Sequence, residues 1–130
     1  MNDKGILRYS PKLLGASSSK WWLVLDCDPT FGKYYRHLFY LHSNRCYKLQ
    51  RPAWECHITV VRDEDPPNKL LWDKYNGNEI EFRVIPEVKT NGDYYWFSVE
   101  CTLAFDIREE LGLSREPKIP LHVSIGHGIY

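Results

Sequence analysis

The sequence predicts an α+β fold built from duplicated strand-helix-strand units, bilobal, with antiparallel sheets around a central cleft. Three observations carry it: an order of elements that repeats, a histidine motif at the same station in each repeat, and alternating apolar residues on both sides of Asn91-Gly92. At 130 residues the chain holds one core rather than two, so a single domain is expected. Its lobes fall at 21–62 and 80–127, after an arm over 1–20.

In the arm, residues 5–14 show no sustained period and lead into a small polar run. That run ends in Lys20 but lacks the glycine spacing of a phosphate-binding loop, so a linker is expected. Residues 21–27 read as a strand of aromatic, branched and aliphatic side chains. Asp28-Pro29 then caps a helix whose Phe31, Tyr34, Tyr35, Leu38, Phe39 and Leu41 recur with helical spacing up to about His42, despite Gly32. Residues 55–62 form the next strand, and 63–67 an acidic loop.

Asn91-Gly92 is a strong short-hairpin signal, and a two-residue loop would pair Lys89 with Tyr94, Glu87 with Trp96, Ile85 with Ser98 and Arg83 with Glu100. The opposite face, from Phe82 and Val84 to Phe97 and Val99, is almost wholly apolar and is expected to be covered. Pro86 moves its strand toward a sheet edge. A short helix lies within 103–111, ended by Gly112 and started by a capping pair, Asp106 with Glu109. Residues 119–126 are the last strand.

Composition excludes several classes. Seventeen basic and seventeen acidic residues leave no net charge, which disfavours affinity for long nucleic acid through counterion release. No apolar run approaches a membrane span. Histidines pair with hydroxyl residues rather than with convergent cysteines, so no metal site and no cofactor is expected. Four cysteines without a C-x-x-C pair, and an N-terminus unlike a signal peptide, predict free thiols in the cytoplasm.

The repeat is most evident as Trp22-Leu-Val-Leu-Asp-Cys27 beside Trp96-Phe-Ser-Val-Glu-Cys101, each copy leading through a helix to His, apolar, Ser or Thr, apolar. One such tripeptide is commonplace. Two at equivalent stations point to chemistry. On a strand, His57 and Thr59 project to one face and Ile58 and Val60 to the other, as do His122 and Ser124 against Val123 and Ile125. Two such pairs converging on a phosphate supply a base, an acid and hydroxyl donors for the non-bridging oxygens, because imidazole titrates near neutrality.

These motifs resemble those of the two-histidine (2H) phosphoesterase superfamily. The likeness runs over residues 21–126, with Ser124 in place of the commoner threonine. It implies a bilobal duplicated scaffold and metal-independent cleavage of phosphodiesters by His57, Thr59, His122 and Ser124. The arm Gly5-Ile-Leu-Arg-Tyr-Ser-Pro-Lys-Leu-Leu14, with Lys20-Trp-Trp-Leu-Val-Leu-Asp-Cys-Asp28 and Tyr34-Tyr-Arg-His-Leu38, is similar to phage anti-CBASS nucleases. That likeness implies cyclic di- and trinucleotide substrates, a ribose 2′-hydroxyl as nucleophile, and passage through a 2′,3′-cyclic phosphate. Which histidine is the base stays open, as does the oligomeric state.

Trp96 and Arg83 share the less apolar hairpin face, which lines the cleft if the other face is buried. Trp96 is then a base-stacking candidate, and a ring half covering an open sheet is an equal alternative. Tyr9 and Trp72 are further substrate-binding candidates. His127 falls on the opposite parity from His122 and is expected at the surface, as are His37 and His42 on the first helix. Arg45, Lys48 and Arg51 read as solvated loop residues. An RNA-processing enzyme acting on 2′,3′-cyclic phosphate ends or 2′,5′ bonds ranks second, and a protein that only sequesters a cyclic nucleotide third.

Overall fold

The computed structural model of the chain describes residues 2–10, 21–43, 49 and 56–127. Its elements run β1 (Asn2–Tyr9), β2 (Trp22–Cys27), α1 (Pro29–His42), β3 (His57–Arg62), β4 (Glu79–Thr90), β5 (Tyr94–Glu100), α2 (Thr102–Glu110) and β6 (His122–His127). Neighbouring strands are antiparallel and close a barrel in the order β1-β2-β3-β6-β5-β4. Expectations for residues 11–20, and for Arg45, Cys46, Lys48 and Arg51, lie outside the described residues.

The arm is a strand where no element was expected. Lys4, Ile6 and Arg8 are exposed while Gly5, Leu7 and Tyr9 are buried, an alternation masked in sequence by an apolar isoleucine on the wet face and a glycine on the dry one. Gly5 is needed there, because a Cβ would meet the Asp26 carbonyl oxygen at 2.8 Å. β1 joins β2 to β4 and so closes the barrel.

The core cluster draws on all six strands and both helices, with Leu23, Leu25, Ile58, Val123 and Ile125 almost fully enclosed. Helix α1 begins as expected: the Asp28 carboxylate accepts from the Thr30 backbone at 2.8 Å. It then seats Phe31 on Phe82 and Tyr35 on Phe97. Helix α2 corrects the expected cap. Cys101 precedes it without a side-chain capping bond, and Asp106 instead binds Arg115 at 2.6 Å. Gly112 ends the segment at a φ of +84°, as a glycine terminator should.

The hairpin corrects the expected register. Thr90 pairs with Tyr95, Lys89 with Trp96 and Val88 with Phe97, whereas Arg83 does pair with Glu100. The Asn91 side chain accepts from the backbones of Asp93 and Tyr94, at 3.0 and 2.9 Å, which widens the turn beyond two residues. Between Val84 and Val88 the ladder shifts, so that Ile85, Pro86 and Glu87 face Ser98 alone. Proline has no N–H for the ladder, and β1 reaches only as far as Arg83, so the irregularity sits where β4 lacks its other neighbour. A shift of two preserves parity, and Phe82, Val84, Phe97 and Val99 remain buried.

Gly32 lies inside α1, where a Cβ would stand 2.5 Å from the Cys56 sulfur and 2.6 Å from a guanidinium nitrogen of Arg36. Alanine favours helices, but overpacking outweighs the propensity gain here. Gly32→Ala is expected to lower stability by about 1–3 kcal/mol in urea titration. Cys27, Cys56 and Cys101 are buried, and burial pushes the Cys27 and Cys101 thiols upward. Because the thiolate is the nucleophile, both should stay unmodified by iodoacetamide at pH 8 in the folded protein and react once unfolded, as peptide mass analysis would read.

Candidate active site

Strands β3 and β6 meet at Ile58 and Val123, both fully buried. Residues flanking a matched antiparallel pair also face one another, so His57 lies across from Ser124 and Thr59 across from His122. All four project away from the two enclosed aliphatics, and the diagonal between the histidines is about 7 Å along the sheet. They line one cleft of about 540 Å³ together with Arg62, Asp63, Glu64, Pro117, Lys118 and Ile119. A second hollow of about 460 Å³ shares Ile119, His122 and Ser124 and adds Lys89, Tyr94, Trp96 and Ser98.

His122 Nδ1 lies 2.9 Å from the Pro120 carbonyl oxygen. A carbonyl only accepts, so the proton sits on Nδ1 and Nε2 is the nitrogen available for proton transfer. Each histidine has a tryptophan edge-on to it, Trp22 at 6.3 Å from His57 and Trp96 at 6.5 Å from His122. The ladders correct the apparent equivalence of those tryptophans. Trp22 pairs with Arg62 and Trp96 with Ser124, so Val24, opposite Thr59, occupies the station of Trp96. The residue at the station of Trp22 is Tyr94, opposite His127.

Both histidine strands bulge at one point. The β2 ladder passes from Thr59 to Val61, skipping Val60, and the β5 ladder from Ser124 to Gly126, skipping Ile125. In each case the skipped residue follows the motif hydroxyl. A bulge reverses parity beyond it. Arg62 therefore reaches the face of His57, where sequence parity had put it on the other side, and its guanidinium lies 4.8 Å from the Trp22 ring. The same reversal corrects the reading of His127, which stands on the face of His122 with its ring 6.2 Å from Tyr94.

The remaining candidates separate. Trp96 lines the second hollow beside His122. Arg83 lies at the far end of the hairpin, ion-paired to Glu100 at 2.6 Å, four residues along β5 from Trp96 or about 13 Å at the usual rise. Tyr9 is enclosed in the core, and burial pushes its hydroxyl up to about 12. Trp72 packs edge-on against Tyr9 and Trp21 and donates to the Ser10 hydroxyl at 3.2 Å. Tyr9, Trp72 and Arg83 do not line either hollow. His37 and His42 are exposed on α1, as expected.

Sequence reasoning missed Arg62 and Lys118, and it put Tyr94 on the hairpin face of Trp96 without naming it a candidate. The first becomes visible only with the bulge, the second sits in the loop before β6, and the third is brought beside His127 by pairing across β5 and β6. Among the described residues no three of His, Cys, Asp and Glu are grouped to hold a metal ion, and no helix is long and apolar enough to cross a membrane. Comparison with family models, curated proteins and solved structures finds no match to this chain.

Proposed function

We propose that this chain is a metal-independent phosphodiesterase of the two-histidine type, cleaving cyclic di- and trinucleotide immune messengers to linear products. The observation that carries the reading is the Ile58–Val123 pairing, which gives one cleft two imidazole–hydroxyl pairs. Support for a duplicated, bilobal origin comes from the strand order, which reads the same when the halves are exchanged, and from bulges at matching stations.

One imidazole takes the proton of a ribose 2′-hydroxyl as that oxygen attacks phosphorus. The other, protonated, gives a proton to the leaving 5′-oxygen. The Thr59 and Ser124 hydroxyls donate to the non-bridging oxygens as charge grows there. Arg62 and Lys118 offset the charge of the phosphate, and Tyr94 and Trp96 offer ring faces to a base in the adjoining hollow. Zero net charge suits a small anionic substrate better than a long strand. On this reading the protein acts in the host bacterial cytoplasm and lets a phage evade CBASS defence.

The test incubates the protein in EDTA with cyclic GMP-AMP and, separately, with a short RNA ending in a 2′,3′-cyclic phosphate, followed by product chromatography. Linear dinucleotide is the expected product. Intact cyclic dinucleotide beside processed RNA would transfer the assignment to RNA end processing, and tight binding without turnover would make the protein a sequestering one.

A further inference from the structure

Both bulges are held by an arginine from the opposite half of the chain. Arg108, on α2, donates to the carbonyl oxygen of Val60 at 2.9 Å, and Arg36, on α1, donates to the carbonyl oxygen of Ile125 at 2.8 Å. Val60 and Ile125 are the residues the ladders skip, each one past the motif hydroxyl. A bulged residue loses its ladder partner, and both of these are buried away from water, at 1% and 0% exposure, so a donor from elsewhere has to serve the carbonyl.

The sequence makes room for both donors. Gly32, one helical turn before Arg36, has no Cβ to obstruct the guanidinium. Arg108 is itself enclosed, and its other bonds, a bidentate pair with Glu64 at 2.8 and 2.9 Å and one to the Ser114 carbonyl at 2.9 Å, hold the fork rigidly. Glu64 also lines the cleft, so Arg108 reaches the site by two routes.

We infer that Arg36 and Arg108 are crossed positioning residues: Arg108 sets the direction of His57 and Thr59, and Arg36 sets that of His122 and Ser124. Each helix thereby locks the histidine strand of the other half, and the two imidazole–hydroxyl pairs are aimed at each other only when the halves are docked. The catalytic part of this inference rests on the phosphodiesterase reading; the geometric part does not.

Arg36→Met and Arg108→Met remove the donors while keeping much of the side-chain length, and Arg36→Lys and Arg108→Lys restore one donor. Imidazole resonances of His57 and His122, assigned by single substitutions, are followed by NMR through a pH titration without substrate. The expected pattern is crossed: Arg108→Met displaces the His57 signals and leaves His122 in place, and Arg36→Met does the reverse. On cyclic GMP-AMP, kcat falls on the order of ten- to a hundredfold with KM nearly unchanged, and the lysine variants recover part of it.

Signals that move together, move in the uncrossed sense or stay put in a folded variant would overturn the assignment, as would unchanged kcat in an active enzyme. Should Arg108→Met not fold, Arg108→Lys and Arg36→Met decide the same question. A wild type inert toward cyclic dinucleotides counts against the phosphodiesterase reading alone, because the crossed NMR pattern is read without turnover.

Discussion

Replacing His122 by alanine lowers kcat on a cyclic dinucleotide by about 10²–10⁴-fold while KM changes little, and His57→Ala does the same. The reason is geometric. Across the Ile58–Val123 pair the imidazoles take one diagonal and the hydroxyls the other, so on the proposed mechanism each ring meets the phosphate in the transition state more than in the bound ground state. The double variant should be little worse than the poorer single one, because an acid and a base that act in one step fail together.

The pH dependence supplies the sign. In the wild type, rate is expected to fall at low pH as the base becomes protonated and at high pH as the acid loses its proton, giving a bell. Each alanine variant should keep one limb of it, and the limb that disappears identifies whether that residue is base or acid. Stopped assays from pH 5 to 9 on the three proteins measure this, and a flat wild-type profile would contradict the pair.

The placement of the four motif side chains was legible because it depends on a period of two. His57 with Thr59, and His122 with Ser124, share a face in any strand, and no tertiary contact was needed to see it. The bulges were not legible. Val60 and Ile125 look like ordinary aliphatic positions, and the extra residue shows only against a partner strand. That one step put Arg62 and His127 on the face opposite to the one their parity implied. The displacement of the repeat is separate from the bulges, which match in the two halves: an alignment on Trp22 and Trp96 obeys residue identity, whereas the ladders match Trp22 with Tyr94 and Asp26 with Ser98.

The hairpin failed for a related reason. Asn91-Gly92 did mark the turn, but the Asn91 side chain captures two backbone donors and Pro86 withholds one, so the register slips twice where a simple count assumes none. β1 was missed because Gly5 and Ile6 invert the expected pattern: a glycine is buried under β2 and an isoleucine is half exposed. Arg108, which sequence reasoning did not single out, is the only buried charged residue among those described.

Arg108→Ala should cost about 3 kcal/mol in urea unfolding, near the lower end of what breaking a buried ion pair costs. The side chains of Arg108 and Glu64 are 1% and 34% exposed, so the carboxylate can return to water when its partner goes, whereas the Val60 and Ser114 carbonyls cannot. Their loss of a donor, and the space the side chain leaves, then make up most of the effect. Glu64→Ala separates the contributions. It removes the carboxylate and keeps both carbonyl bonds; because Glu64 is 34% exposed and lines the cleft, water can take its place beside the enclosed guanidinium, so it should cost about 1–2 kcal/mol, less than breaking a fully enclosed pair. If Glu64→Ala proved as damaging as Arg108→Ala, the ion pair would be the main role of Arg108 and the bulge at Val60 would need no clamp.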